Sequence, residues 1–408
     1  MSQTRIGRAF LGTMLVIGVA VSRLEAAEIG PEDDLCAALN GLQGGEELLL
    51  RPGDYPGGCS VRRGGSPGSP TIIRSAEAQR PARLVARGVG RNLLEIRASD
   101  VSVRGLHFGP SDNDGVRIIS GHRVSVEECE FRQIGGIAVV ANHTSTRGLT
   151  VRRNVIVDSG ATGMYFGCHD GARCTVSGLL IEGNLIQGVT AGGQQIGYGM
   201  QVKLNSSAII RDNVVVDTKG PGIMVYGSQD LVATSVVERN FVRGSRTSSG
   251  IVVGGGPVMV RNNVSGWNFE AGIDLENYGG RGLLRAIVAV HNTVYANRSG
   301  GIMAPERGPV EAALVNNAVH ARGGTPALPA VRPGLRMSGN VDCSFALCFS
   351  NPDALDFSAF TGSVLIGRGL RTGVGVPADD FFGARRREPA TVGAVERPSG
   401  PIRLGVRP

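Results

Sequence analysis

A chain of 408 residues with 62 glycines, 5% aromatic and 41% hydrophobic side chains has enough apolar content for a core. That excludes a disordered chain and points to a globular β protein with many tight turns. The formal net charge is +7, but the basic residues are scattered, with short runs such as Arg62-Arg63 and Arg385-Arg386-Arg387; no Lys/Arg stripe alternates with aromatics, which sets nucleic acid aside as a partner. A diffuse basic surface suits an acidic polymer and equally an ordinary solvated surface.

In chain order, Arg5 and Arg8 precede an apolar stretch over residues 9–21 and small residues at Ala26 and Ala27. This reads as a signal peptide over residues 1–27. The apolar run is too short for stable membrane insertion and has no second copy, so a secreted or periplasmic monomer is expected. Residues 34–42 read as a short capping helix, and Leu48-Leu49-Leu50-Arg51-Pro52-Gly53-Asp54-Tyr55 opens the first coils. A cap is needed because an open solenoid end exposes unpaired strand edges. The simplest pairing of the seven cysteines is three local bridges, Cys36 with Cys59, Cys168 with Cys174 and Cys343 with Cys348. Cys129 is left over as a small apolar core group, although sequence alone does not fix connectivity.

The internal repeat decides the fold. Asn followed within two positions by an apolar residue, most often an apolar pair, recurs at Asn154, Asn184, Asn213, Asn240, Asn263, Asn292, Asn317 and Asn340. The spacing of roughly 23 to 30 residues signals a solenoid. Between these phrases stands Gly followed by alternating apolar residues, as in Gly163-Met164-Tyr165-Phe166, Gly199-Met200-Gln201-Val202 and Gly222-Ile223-Met224-Val225. Period-two alternation means a strand with one face buried. Strands this short pair with the same strand of the next repeat, giving parallel ladders. Asn suits the column because it tolerates the left-handed conformation of sharp bends and its amides can bond from coil to coil. The expected organisation is an all-β solenoid, a parallel β-helix, over residues 28–350, with a cap or wrap over residues 351–408 whose end is loose.

These phrases, with Val103-Arg104-Gly105-Leu106-His107-Phe108 and Val392-Gly393-Ala394-Val395-Glu396, resemble the pectate-lyase-like superfamily. That resemblance implies a right-handed parallel β-helix. The same scaffold hosts lyases, hydrolases, epimerases and non-catalytic tailspike-like proteins, so function must come from the site.

Residues two and four places after each Gly are expected to point outward in columns about 4.8 Å apart. Down the stack these run from Arg117 through Tyr165, Gln201 with Lys203, Met224 with Tyr226, and Gly254, to Asp274 with Glu276. This predicts an elongated groove for an acidic polysaccharide, with Gly254 leaving space. Val202-Lys203-Leu204-Asn205-Ser206-Ser207 resembles the Lys-Ser-Ser phrase of chondroitinase-B-type and alginate lyases of this fold. There the Lys is the base beside a uronate carboxylate, an Arg one coil further assists, and acidic residues just before the Lys hold Ca²⁺. Here Tyr226 stands in place of that Arg, and Gln195-Ile196-Gly197-Tyr198 carries no acid. Asp274 and Glu276 have the spacing of an oxygen-ligand site for Ca²⁺ but lie three coils away, roughly 14 Å. Without such a site no cofactor is implied.

The expected chemistry is β-elimination from a uronate-containing polysaccharide. Lys203 is the base, Tyr226 or His169 the proton donor, and Arg117, Tyr165, Asp170, Gln201 and Asn205 hold sugars. A C5-epimerase would use much the same groove. A polygalacturonase-like glycoside hydrolase needs several carboxylates around one bond, and the early Ser111-Asp112-Asn113-Asp114-Gly115 does not supply them. A non-catalytic exported glycan-binding or structural β-helix is the alternative from another class.

Overall fold

The computed structural model describes residues 26–86, 88, 90–169, 173–190, 192, 195–370, 375–396 and 400–407. The signal peptide read from the sequence falls almost wholly on residues 1–25, outside the described residues. Among the described residues, strands stack into parallel sheets of thirteen, twelve and ten strands. One coil shows the plan. Val124–Glu127 belongs to the thirteen-stranded sheet, Glu130–Ile134 to the twelve-stranded and Ile137–Ala141 to the ten-stranded. The next coil repeats it with Thr150–Arg152, Val155–Ser159 and Thr162–Phe166. The expected parallel β-helix is therefore present, with three strands per coil. Alternation sends Val126, Phe131 and Val139 into a continuous apolar lumen, where Phe108 and Phe131 stack with ring centres 4.8 Å apart.

The corner between the first two sheets carries the Asn column. Asn213 Nδ2 donates to Asn240 Oδ1 at 2.9 Å and to the Ile181 carbonyl at 3.0 Å. Asn213 Oδ1 in turn accepts from the backbone N–H and the amide of Asn184, both at 2.9 Å. The same exchange runs from Asn154 through to Asn340, and Cys129 heads the column by donating its backbone N–H to Asn154 Oδ1 at 3.0 Å. The bend itself is not made by these Asn residues. The left-handed conformation belongs to the residue before each one, with φ of +53° at Arg153, +58° at Asp212, +53° at Arg239 and +52° at His291. The Asn stays buried because its side chain must reach both neighbouring coils.

The ends are closed differently. Helix Leu35–Gly41 covers the first coil with Leu35 and Leu39, and the Asp34 carboxylate caps it by accepting from Ala37 N–H at 3.0 Å. The three disulfides are those expected, and Cys129 is buried, its thiol pushed up to about 12 by burial. The C-terminal segment runs along the outside of the Asn corner. Arg386 Nη2 donates to Asn262 Oδ1 at 2.7 Å, Gly393 N–H to the Asn316 carbonyl at 2.9 Å, and Arg407 N–H to the Gly183 carbonyl at 3.1 Å. Through Arg407, then, the tail is held and not loose. Along the thirteen-stranded sheet, acids and bases alternate from coil to coil. Arg152 pairs with Glu127, Arg211 with Glu182 and Arg261 with Glu238, at N–O distances of 2.8, 2.6 and 2.7 Å. Much of the basic surface is thereby neutralised locally.

Asn213→Ala leaves donors of Asn184 and the Ile181 carbonyl without partners in a dry corner. It is expected to destabilise the protein by roughly 3 kcal/mol. Asn340→Ala, at the end of the column, should cost clearly less. Urea midpoints of the two variants against the parent check this; equal losses would mean that the column does not act as a continuous ladder.

Candidate active site

Lys203 follows the strand Met200–Val202 of the ten-stranded sheet. Met200 and Val202 enter the lumen core, so alternation turns Gln201 and Lys203 outward. The register stacks Tyr165 on Gln201, then Met224, Val252 and Asp274. Close stacking requires glycine at the head of these strands: a Cβ on Gly199 would run into the carbonyl oxygen of Gly222.

The outward face is not open over this stretch. Lys203 is 3% exposed and Tyr226 1%. Tyr198, Tyr226, Tyr278 and Leu283 form an apolar cluster outside the lumen, together with Met224 and Val252. Tyr278 lies edge-on to Tyr226 at 4.7 Å. The room expected at Gly254 is taken, since a Cβ there would sit 3.2 Å from Tyr278 Cβ. The groove is therefore a pocket of about 300 Å³, lined by residues including Ile137, Thr162, Tyr165, His169, Gln201, Lys203 and Tyr226.

At its floor Lys203 Nζ donates to Tyr226 Oη at 2.8 Å, with His169 Nδ1 3.4 Å away. Nζ also lies 4.8 Å from the centre of the Tyr165 ring. Burial, and then the Arg281 cation, hold the Lys203 ammonium down to about 7. Burial pushes the Tyr226 phenol well above its usual range, reinforced by Tyr198. Tyr226 Oη is in turn 3.3 Å from Tyr198 Oη and 3.5 Å from Gln201 Oε1. The pair thus joins an amine that is readily neutral near pH 7 to a phenol that keeps its proton, the complementary halves of a base and an acid.

Of the residues singled out in the sequence, the structure brings together Lys203, Tyr226, His169, Tyr165 and Gln201. Arg117 shares their column two coils toward the N-terminus but does not line the pocket; it pairs with Asp114 and with Asn142 Oδ1 at 2.9 Å. The Asn205 side chain is bonded to Gln229 at the next corner, accepting from its backbone N–H at 2.9 Å. Asp170 lies outside the described residues. Asp274 and Glu276 also stand outside the pocket. Burial and the neighbouring Glu276 raise the Asp274 carboxyl to about 6, and Asp274 accepts from Ser249 Oγ at 3.2 Å. Ca²⁺ takes six to eight oxygen ligands. Among the described residues no group of three or more His, Cys, Asp or Glu side chains is arranged to hold a metal ion.

The pocket residues Tyr198 and Tyr278, and Arg281 whose guanidinium lies over the Tyr278 ring, do not belong to the outward column, because they come from loops. Their signal is coil length. The shortest Asn-to-Asn separation is 23 residues, whereas the coils carrying His169, Tyr198 and Tyr278 measure 30, 29 and 29. The extra residues wall the pocket. A second signal is composition: Lys203 and Lys219 are the only lysines, every other basic side chain among the 42 Lys and Arg being arginine.

Residues 175–325 match the family described as "Right handed beta helix region". Among curated proteins, none matches this sequence. Among solved structures, the chain is similar to XylC in complex with xylose, at 9% identity over 89% of this chain and 94% of that one, with a TM-score of 0.59. A GH136 lacto-N-biosidase from Eubacterium ramulus is similar at 13% identity over 77% and 68%, TM-score 0.56. The PL6 family polysaccharide lyase Pedsa3628 from Pseudopedobacter saltans is similar at 14% identity over 90% and 99%, TM-score 0.50. At these identities the likeness concerns the fold.

The low Lys203 pKa has a stability consequence with a definite sign. A free Lys titrates at about 10.4, so between about pH 7 and 10.4 the unfolded chain holds one more proton than the folded one, and stability from this group rises with pH across that window. Below it the full penalty of the buried charge applies. Lys203→Met is therefore expected to raise the thermal midpoint more at about pH 6 than at about pH 9.5. Paired melts at the two pH values check this, and an equal or reversed effect would refute a depressed Lys203.

Proposed function

We propose that this right-handed parallel β-helix is a carbohydrate-active enzyme that cleaves an acidic, uronate-containing polysaccharide by β-elimination. The observation that carries the reading is the Lys203–Tyr226 contact at 2.8 Å on the floor of a pocket. Elimination needs a base for the proton beside the uronate carboxylate and an acid for the departing glycosidic oxygen. Neutral Lys203 takes the C5 proton. The C4–O bond breaks as the C4–C5 double bond forms, and Tyr226 gives its proton to the leaving oxygen. The new Lys203 ammonium then returns a proton to the Tyr226 phenolate beside it, and both groups regain their starting states. The sum is a proton moved from carbon to oxygen, with no water consumed. Arg281, which depresses the Lys203 ammonium and has a buried Nη1 with no hydrogen-bond partner, adds positive potential that favours a carboxylate. Tyr165 offers its ring to a sugar face, and Gln201 and His169 offer polar atoms at the pocket wall.

Glycoside hydrolysis is favoured less. It uses a pair of carboxylates about the scissile bond, and none of the described residues lining the pocket is Asp or Glu. The three disulfides support an oxidising compartment, hence an exported protein. Among the described residues no helix is long and apolar enough to cross a membrane.

The test is incubation with alginate, polygalacturonate and chondroitin while following the ultraviolet absorbance of unsaturated chain ends. Lys203→Ala should lower the rate about 10³-fold and Tyr226→Phe about 10²-fold, with folding unchanged. The kcat/KM of the parent should rise with pH up to about 7, the pH at which Lys203 loses its proton. Product with inverted C5 and intact chains would replace elimination by epimerisation. Glycan binding with neither change would make the protein a binding module.

A further inference from the structure

We propose that the pocket receives the end of a glycan chain and not its middle, so that the protein acts exolytically. This rests on the acidic-glycan reading above and adds the mode of attack. The outer face of a bare β-helix sheet is a track along which a polymer could lie with both ends free. Here the track stops. The outward residue of Tyr226's own coil, Met224, and that of the coil beyond it, Val252, are buried in one cluster with Tyr278 and Leu283.

The stop is built into the sheet. Where the loop lands, the strand that ends at Val253 continues as Gly254-Gly255-Gly256. A Cβ on Gly255 would lie 2.6 Å from Leu283 Cβ, and Gly256 N–H donates to the Leu283 carbonyl at 2.9 Å. The loop is also braced from within, since Gly282 N–H donates to Asn277 Oδ1 at 2.8 Å. A side chain at Gly255 would lift the loop, so the sequence has cleared a seat for it. The wall is a fixed part of the fold.

On the opposite side the pocket opens past Tyr165 at the heads of two strands, by Thr162 on its own coil and Ile137 on the coil before, while Val140 stacked on Tyr165 is buried. A chain entering from that side meets Tyr278 after the reacting ring. The volume of about 300 Å³ sits at the small end of ligand pockets and suits a terminal unit of about two sugars.

The test uses alginate and polygalacturonate, each intact and as an acid hydrolysate of one-tenth the mean length. If one chain end fills one pocket, the hydrolysate binds about tenfold more protein per gram at saturation. Where cleavage occurs, mono- or disaccharide products accumulate from the first time points and viscosity stays level. Tyr278→Ala, which opens the wall, should broaden the products to mixed lengths. Protein bound per gram that is indifferent to chain length, or an early collapse of viscosity, would overturn the exolytic mode while leaving elimination intact. End-counted binding without unsaturated products would uphold the closed pocket and overturn elimination alone. Absence of binding to every sample would overturn both.

Discussion

Everything in this molecule depends on the hydrogen bonding that fixes one coil to the next. A parallel strand of three to five residues has no stability by itself; its backbone groups are satisfied only when the adjoining coils hold the same register. The Asn corner enforces that register twice, through the backbone and through a buried amide that donates to one coil and accepts from another. Because the amide is dry, slippage by one residue would strand several polar groups at once. This is why Tyr226, 23 residues from Lys203 and 25 from Gln201, lies within hydrogen-bonding distance of both.

The Lys203 pocket is an exception built on that regularity. Short coils of 23 residues have no material to spare, and the residues in excess of that minimum turn into walls. The Cys168–Cys174 loop brings His169, the segment before Met200 brings Tyr198, and the segment after Leu275 brings Tyr278 and Arg281. Burial follows from these walls and lowers the proton affinity of Lys203: the same Lys on an unwalled strand would remain a solvated ammonium. Lysine suits this burial where arginine would not, because a guanidinium stays protonated where an amine can lose its charge. Elsewhere, Lys219 apart, the chain uses arginine, and along the thirteen-stranded sheet it pairs arginine with acids across successive coils.

These facts explain how much was legible in the sequence. The coils, the Asn column, the capping helix and the cysteine pairs follow from periodicity and short-range spacing, and the outward column correctly joined Tyr165, Gln201, Lys203 and Tyr226. The left-handed bend was misplaced by one residue, since Asn is chosen for its amide and the residue before it takes the strained backbone. The open groove was also misread. Column reasoning sees residues on strands, and what closes the face comes from loops whose paths periodicity does not describe. Gly254 looked like a vacancy in the sequence and is a seat in the structure.

The left-handed corner residues have one more role. Gly183, Asp212, Arg239, Asn262, His291 and Asn316 occupy six successive corners, and each is contacted by the C-terminal strap. Solenoids ordinarily gain or lose a repeat with little penalty, because each repeat touches only its neighbours. A strap that grips six corners fixes their spacing: removing one coil would shift the grips on either side of it relative to one another by about 4.8 Å. The number of turns in this protein is thereby locked to the length of its tail, and the two can change over evolutionary time only together.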